Sequence, residues 1–309
     1  MLKIAVLGAG GVGGYYGGLL ARSGQEVAFV ARGKHLEAIR ERGLSVHSVH
    51  GDFSIKPAQA TDRPVEIGPV GLVLVTVKSY NLEEAAESAR PLVGPETAVL
   101  PLLNGLDAAE RLAAVLGERP VLAGLTHLSS AVAAPGVIRQ VSPVRRITLG
   151  ERHGPAGEVS ARVEWIGELL AGSGVETRTL PAPEVERALW EKFLFIASIG
   201  GICCLARQPM GTVLTTPETH RLYVEALQEV EAVARARGIE LGADIIARTL
   251  ELTAGFAPAT RPSLLADLEA GRRLELEAMS GTVVRYGRQA GIPTPIHQVV
   301  YAALKPSSG

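Results

Sequence analysis

The chain has 309 residues, of which 47% are hydrophobic and 20% charged, with 31 basic against 32 acidic side chains and a net charge of -1. That apolar share excludes a disordered chain, the balanced charge offers nothing to nucleic acid or to an anionic membrane surface, and no apolar stretch approaches the roughly 20 residues expected of a membrane helix. At roughly 150 residues per domain the length predicts a soluble protein of two domains whose partner is a small molecule.

Residues 3–7 (KIAVL) predict a short buried strand, followed by Gly8-Ala9-Gly10-Gly11-Val12-Gly13 and a helical pattern reaching Gly24. A G-x-G-x-x-G that follows a strand and opens a helix has a mechanism. The first glycine permits a tight turn, the second lets the backbone approach a pyrophosphate, the third allows close helix–strand packing, and the helix N-terminus faces the anion. The alternative is a glycine-rich turn without a ligand. A second strand is expected at 26–31, ending Ala31-Arg32-Gly33-Lys34. A unit binding NAD would carry a carboxylate here for the ribose 2′-hydroxyl. Arg32 instead favours the 2′-phosphate of NADP(H), with Lys34 a candidate second contact, unless both are simply surface charges.

A helix near 34–42 and two short alternating stretches lead to the buried run 72–77, after which Lys78 stands at the carboxyl end of a predicted parallel strand. Asn81 begins Asn-x-x-Glu with Glu84 and predicts the N-cap of a helix over 82–92. A strand at 98–103 leads to Asn104-Gly105, a common turn dipeptide in a ligand-facing place. A helix at 108–116 and a strand at 121–125 continue the alternation, which predicts a doubly wound parallel sheet. From 135 to 150 turn residues and short alternating strands suggest an antiparallel addition to one edge, completed by a helix at 159–171 and a strand at 175–180.

Beyond Pro181 and Pro183 the pattern is helical: 184–205, a helix opened by Thr216-Pro217-Glu218 and closed by Gly238, then 243–253, 263–268, 272–289 and 295–304. The expected division is a dinucleotide-binding domain over 1–182 and a helical domain over 183–309. Lys192, one of only six lysines, heads 14 uncharged residues. It is either a snorkelling or Glu-paired lysine, or a proton donor whose pKa desolvation lowers toward the working range. Ser263 after Pro262 could be an N-cap, and Glu275 amid Arg272, Arg273 and Glu277 a solvated charge. Adjacent Cys203 and Cys204 suit neither a disulfide framework nor zinc and imply buried thiols in a reducing compartment. The seven histidines lack metal-ligand spacing, so no metal is expected, and without an export signal the expectation is a cytoplasmic protein. The apolar positions Leu222, Leu227, Val230, Val233 and Ala234 suggest a homodimer through the helical half.

In order and spacing, GAGGVGG, Arg32, VTVKSY with Lys78, LLNGL with Asn104, LWEK with Lys192 and SLLADLEAGRRLELE with Ser263, Asp267 and Glu275 resemble the ketopantoate reductase (2-dehydropantoate 2-reductase) family along essentially the whole chain. The resemblance implies a Rossmann-type sheet domain followed by an all-α domain like the C-terminal part of 6-phosphogluconate dehydrogenase. It also implies NADPH-dependent reduction of 2-dehydropantoate to (R)-pantoate in pantothenate biosynthesis, in a cleft between the domains. By resemblance, Lys192 is the catalytic acid and Glu275 holds the substrate's hydroxyl end. Ser263 then meets the substrate carboxylate, Asn104 lies at nicotinamide and substrate, and Lys78 contacts cofactor or substrate. The turn from Gly8 through Ala9, Gly10, Gly11 and Val12 to Gly13 binds the cofactor, with Arg32 at its 2′-phosphate. One departure stands out. Better-known members carry asparagines four and eight residues after the lysine, where this chain has Ile196 and Gly200. A more apolar pocket is expected, which keeps a reductase of another 2-keto or 3-hydroxy acid open as the alternative, with a non-catalytic NADPH sensor behind it.

Overall fold

The computed structural model describes residues 2–308. It divides into two compact units. One runs to Leu103 and takes up again over Asp107–Val185; the other comprises Asn104–Leu106 and the chain from Glu186 onward.

The first unit begins with β1 (Lys3–Leu7), α1 (Gly11–Arg22), β2 (Glu26–Val30) and α2 (Gly33–Arg42), continues through β3 (Leu44–His47), β4 (Phe53–Ile55) and β5 (Gln59–Thr61), and then sets down β6 (Val70–Val75), α3 (Leu82–Ala89), β7 (Val93–Pro101) and α4 (Ala108–Leu116). Strands β5-β2-β1-β6-β7 form one sheet, every pair parallel. The inner strands β1, β2 and β6 are mainly apolar and buried, as expected of a parallel sheet covered on both faces, whereas the edge strand β5 is Gln59-Ala60-Thr61. With β1 in the middle, the sheet extends to β2 on one side and β6 on the other, which makes the carboxyl end of β1 a topological switch point.

A second sheet departs from expectation. The segment expected as a further parallel strand keeps one bridge to the first sheet, Val121 to Val99, and then becomes β8 (Leu122–Ala134), an antiparallel partner of β9 (Val137–Glu151). Beyond Val121 the ladder to β9 satisfies far more backbone than the first sheet offers, and the turn at Pro135-Gly136 closes the hairpin. So 135–150 is not an edge of the first sheet. After α5 (Ala161–Gly172), β10 (Glu176–Thr179) completes the order β10-β9-β3-β4 with β8 on β9. Helix α1 packs into the core shared with this sheet, burying Tyr15, Tyr16, Leu19 and Leu20. A Cβ at Gly17 would press on Phe29 at 2.6 Å, and one at Gly14 on Ile138 at 2.6 Å, so these glycines give the helix its close approach.

Helix α6 (Ala182–Ala206) leads to α7 (Met210–Thr215), α8 (Pro217–Ala236), α9 (Ile245–Ala254), α10 (Ser263–Glu269), α11 (Thr282–Ala290) and α12 (Pro295–Leu304). Contrary to the sequence expectation, α6 is long and apolar enough to cross a membrane by length and composition. In the fold its apolar residues are core: Phe193, Leu194, Ala197, Ile202 and Cys203 are almost wholly buried. Leu227, Val230, Val233 and Ala234 join the same core, with Leu222 packed against it, so the apolar face that suggested a dimer is spent within the chain. The helix expected over 272–289 starts late. Asp267 accepts from the Arg272 Nε at 2.7 Å and from the Arg272 amide through its carbonyl at 2.8 Å, while Gly271 takes φ +63. These contacts hold the chain in a turn, and helix resumes only as one wide π turn at Glu277–Gly281 before α11.

Candidate active site

The glycine turn sits at the switch point after β1, where open α/β sheets bind ligands. Gly8 has φ +95, a region that strains any side chain, and the Gly8 and Ala9 amides both donate to the Val30 carbonyl at the end of β2, at 3.1 and 3.3 Å. Just beyond β6 the Thr76 hydroxyl donates to the Gly8 carbonyl at 2.7 Å. A Cβ on Gly13 would collide with that carbonyl and that hydroxyl, whereas a Cβ on Gly10 would meet nothing within 4 Å. The third glycine therefore seats α1 against the strand ends, and the second leaves the backbone open. The first helical bond is Gly14 to the Gly10 carbonyl at 2.7 Å, so the amides of Gly11, Val12 and Gly13 have no acceptor inside α1. Such a turn fits the pyrophosphate of a dinucleotide.

Arg32 follows β2 as the N-cap residue of α2 and is exposed, as is Lys34. Its Nη2 donates to Glu84 Oε1 at 2.7 Å, which holds the Glu84 carboxyl below the usual carboxylate range. Water screens this pair, so the guanidinium can exchange partners for a doubly charged phosphate. The expected capping box at Asn81 is absent: Asn81 stands at the N-cap of α3 without a side-chain bond, and Glu84 reaches Arg32 instead. Because β6 ends at Val75, Lys78 does not directly follow the strand. It caps a 3-10 turn at Ser79–Asn81.

In the second unit three residues expected at the site come from three segments. Asn104 lies three residues past β7, and Gly105, at φ +109, brings the loop so close to the π turn that an added Cβ would stand 3.2 Å from the Ala278 carbonyl. There the Asn104 Oδ1 accepts a hydrogen bond of 2.9 Å from Lys192 Nζ. Lys192 projects from α6. Burial lowers its pKa from 10.5 to about 8, and the negative charge of Glu275 works in the opposite direction. Glu275 lies between buried Leu274 and Leu276 at 7% exposure, so it is no solvated charge among arginines. Its neighbour Glu277 is occupied elsewhere, accepting from Tyr301 at 2.7 Å and from Lys305.

Asn104, Lys192 and Glu275 are thus brought together. Ser263 stands apart from them. It is the exposed first residue of α10, whose next residue, Leu264, lies 3.7 Å from where a Gly200 Cβ would stand, two turns along α6 from Lys192. Ile196, between them on α6, is half-buried against the core. Asn104, expected in the domain over 1–182, belongs with the second unit. Thr76 and His35 escaped the sequence reading although both bond the glycine turn. A threonine at the polar end of a buried run was the only signal for the first.

A family model described as ketopantoate reductase PanE/ApbA matches residues 4–154, and its C-terminal counterpart matches 184–308. The chain is similar to the uncharacterised oxidoreductase YkpB of Bacillus subtilis, 30% identical over 98% of both chains. It is similar to the 2-dehydropantoate 2-reductase of Halobacterium salinarum at 33% identity, covering 96% of this chain and 95% of that one. Among solved structures, the 2-dehydropantoate 2-reductase of Geobacter metallireducens is 34% identical with a TM-score of 0.89, over 99% of this chain and 100% of the other.

Proposed function

The chain belongs to the ketopantoate reductase family, and on that premise we propose that it reduces a 2-keto acid to the 2-hydroxy acid with NADPH, 2-dehydropantoate to (R)-pantoate being the favoured pair. The observation that carries the reading is Lys192, bonded to Asn104 and with a pKa of about 8. When bound, the reduced nicotinamide supplies hydride to the keto carbon. Lys192 supplies the proton: below about pH 8 its ammonium donates to the keto oxygen, stabilises the developing negative charge and completes the alcohol. Asn104 accepts one of the three ammonium hydrogens, which aims the others, and the Glu275 charge keeps the proton on nitrogen against the desolvation that would remove it. Ser263 and Glu275 are the candidate contacts for the substrate's carboxylate and hydroxyl ends.

On the first unit, Gly8 to Gly13 hold the pyrophosphate, and Arg32 supports the choice of NADPH over NADH, with Lys34 and Lys78 as further cationic contacts. The test is oxidation of NADPH followed with 2-dehydropantoate, alongside the Lys192→Ala variant. Rapid turnover by the unaltered protein alone supports the reading, and equal turnover by both overturns the role of Lys192. A second reading, reduction of another 2-keto or 3-hydroxy acid, is favoured by Ile196 and Gly200, which offer no hydrogen bond beyond Lys192. A kcat/KM comparison across a panel of keto acids separates the two.

A further inference from the structure

His35, half-buried in the first turn of α2, lies between two backbone groups. Its Nε2 is 2.8 Å from the Ala9 carbonyl, and its Nδ1 is 3.1 Å from the Gly136 amide. A carbonyl can only accept and an amide can only donate, so these two contacts assign the tautomer: hydrogen on Nε2, lone pair on Nδ1. The Gly136 end is firmly anchored. Gly136 lies in the turn between β8 and β9 at φ +79, its carbonyl accepts from Ser45 in β3 at 2.9 Å, and a Cβ there would press on Ala38 of α2 at 3.1 Å.

The Ala9 end is the functional one. Ala9 is the x of the first G-x-G, and its carbonyl shares a planar trans peptide with the Gly10 amide, so the two point in opposite directions. Holding the carbonyl toward His35 therefore directs the Gly10 N–H away from it. The Ala9 amide, in the preceding peptide, is fixed to Val30, so rotation between that peptide and the Ala9–Gly10 peptide is the freedom left to the Ala9 carbonyl. The same hairpin covers the turn one residue further on, where a Cβ on Gly11 would collide with the Ser130 carbonyl of β8.

We propose that His35 is a positioning residue for the dinucleotide: it transfers the fixed position of the β8–β9 turn to the Ala9–Gly10 peptide and so orients an amide of the pyrophosphate cradle. The inference rests on the reading of that turn as the dinucleotide site. Three variants separate its two bonds. His35→Leu keeps bulk and removes both. His35→Gln carries its amide nitrogen near the place of Nε2 and keeps the bond to Ala9. His35→Asn carries its oxygen near the place of Nδ1 and keeps only the bond to Gly136.

The experiment is calorimetric titration of each purified full-length variant with NADPH and with ADP-ribose, which lacks the nicotinamide, together with kcat and the keto-acid KM at saturating NADPH. His35→Leu and His35→Asn weaken both ligands roughly tenfold, the loss expected for one hydrogen bond, and His35→Gln returns affinity to within about threefold of the unaltered protein. The keto-acid KM stays within about twofold throughout. Unchanged affinity in His35→Leu, or equal losses in Gln and Asn, overturns the inference while leaving the dinucleotide reading intact. Failure of the unaltered protein to bind either ligand overturns both. If His35→Leu does not fold, the contrast between Gln and Asn decides alone.

Discussion

The glycine turn of the first unit and the lysine pocket of the second solve opposite problems with opposite materials. In the turn, the proposed binding groups are backbone amides and side chains are excluded: Gly13 has no room for a Cβ, and Gly8 needs a dihedral that side chains resist. Around Lys192 a left-handed glycine and a π turn bring the segments close, and on the proposed reading one ammonium acts there, its proton affinity set by burial and by the Glu275 charge. A steric site is nearly indifferent to pH and fails by collision. An electrostatic site fails when a proton or a partner is lost.

That contrast is open to direct attack, most forcefully at Lys192. Lys192→Ala is expected to lower kcat by roughly 10²–10⁴-fold, the range for removing a general acid, with NADPH affinity unchanged in a fluorescence titration. A matching loss of dinucleotide affinity would erase the division of labour between the two sites. Gly13→Ala is the converse: forcing a methyl against the Gly8 carbonyl and Thr76 hydroxyl should cost roughly 1–3 kcal/mol of stability, seen in chemical unfolding, and weaken NADPH and NADH alike. Arg32→Ala should weaken NADPH about tenfold or more and leave NADH unaltered, since only the former brings a 2′-phosphate to a guanidinium; equal losses would remove Arg32 from coenzyme choice.

The smallest effect is the most diagnostic. Folding lowers the Lys192 pKa from 10.5 to about 8, so between those values the unfolded chain keeps a proton that the folded chain has released. Stability contributed by this group therefore rises with pH across that window, while turnover that needs the ammonium falls above about pH 8. The pH–rate profile should thus bend downward where the thermal midpoint of the unaltered protein rises relative to that of Lys192→Met. A flat rate profile to pH 10 would place the proton elsewhere.

The two sites were unequally legible in the sequence. Gly8, Gly10 and Gly13 could be read because three distinct steric demands fall at fixed spacing behind a strand, and the structure meets the turn at Gly8 and the close packing at Gly13 and leaves open space at Gly10. Lys192 remained divided between a snorkelling and an acidic lysine, because its environment comes from Asn104, 88 positions earlier, and from Glu275. Only the family resemblance pointed to that convergence. The helix expected across 272–289 concealed the turn that Asp267 and Arg272 build, since periodicity reports an apolar face and not a side chain tying down a backbone amide. β8 was expected in the parallel sheet for a similar reason: a short apolar run identifies a strand but not its partner. His35 left no signal, because a histidine bonded to main-chain groups produces no pattern.

The excursion of Asn104–Leu106 into the second unit has a practical corollary for anyone cutting or recombining this protein. A fragment beginning at Glu186 retains Lys192, Ser263 and Glu275 yet omits the acceptor that aims the ammonium. The pocket is therefore not a transplantable cassette. Chimeras with crossovers near residue 185 would inherit the lysine from one parent and its acceptor from the other, and parents that differ around LLNGL would give hybrids mismatched at the Lys192–Asn104 bond itself.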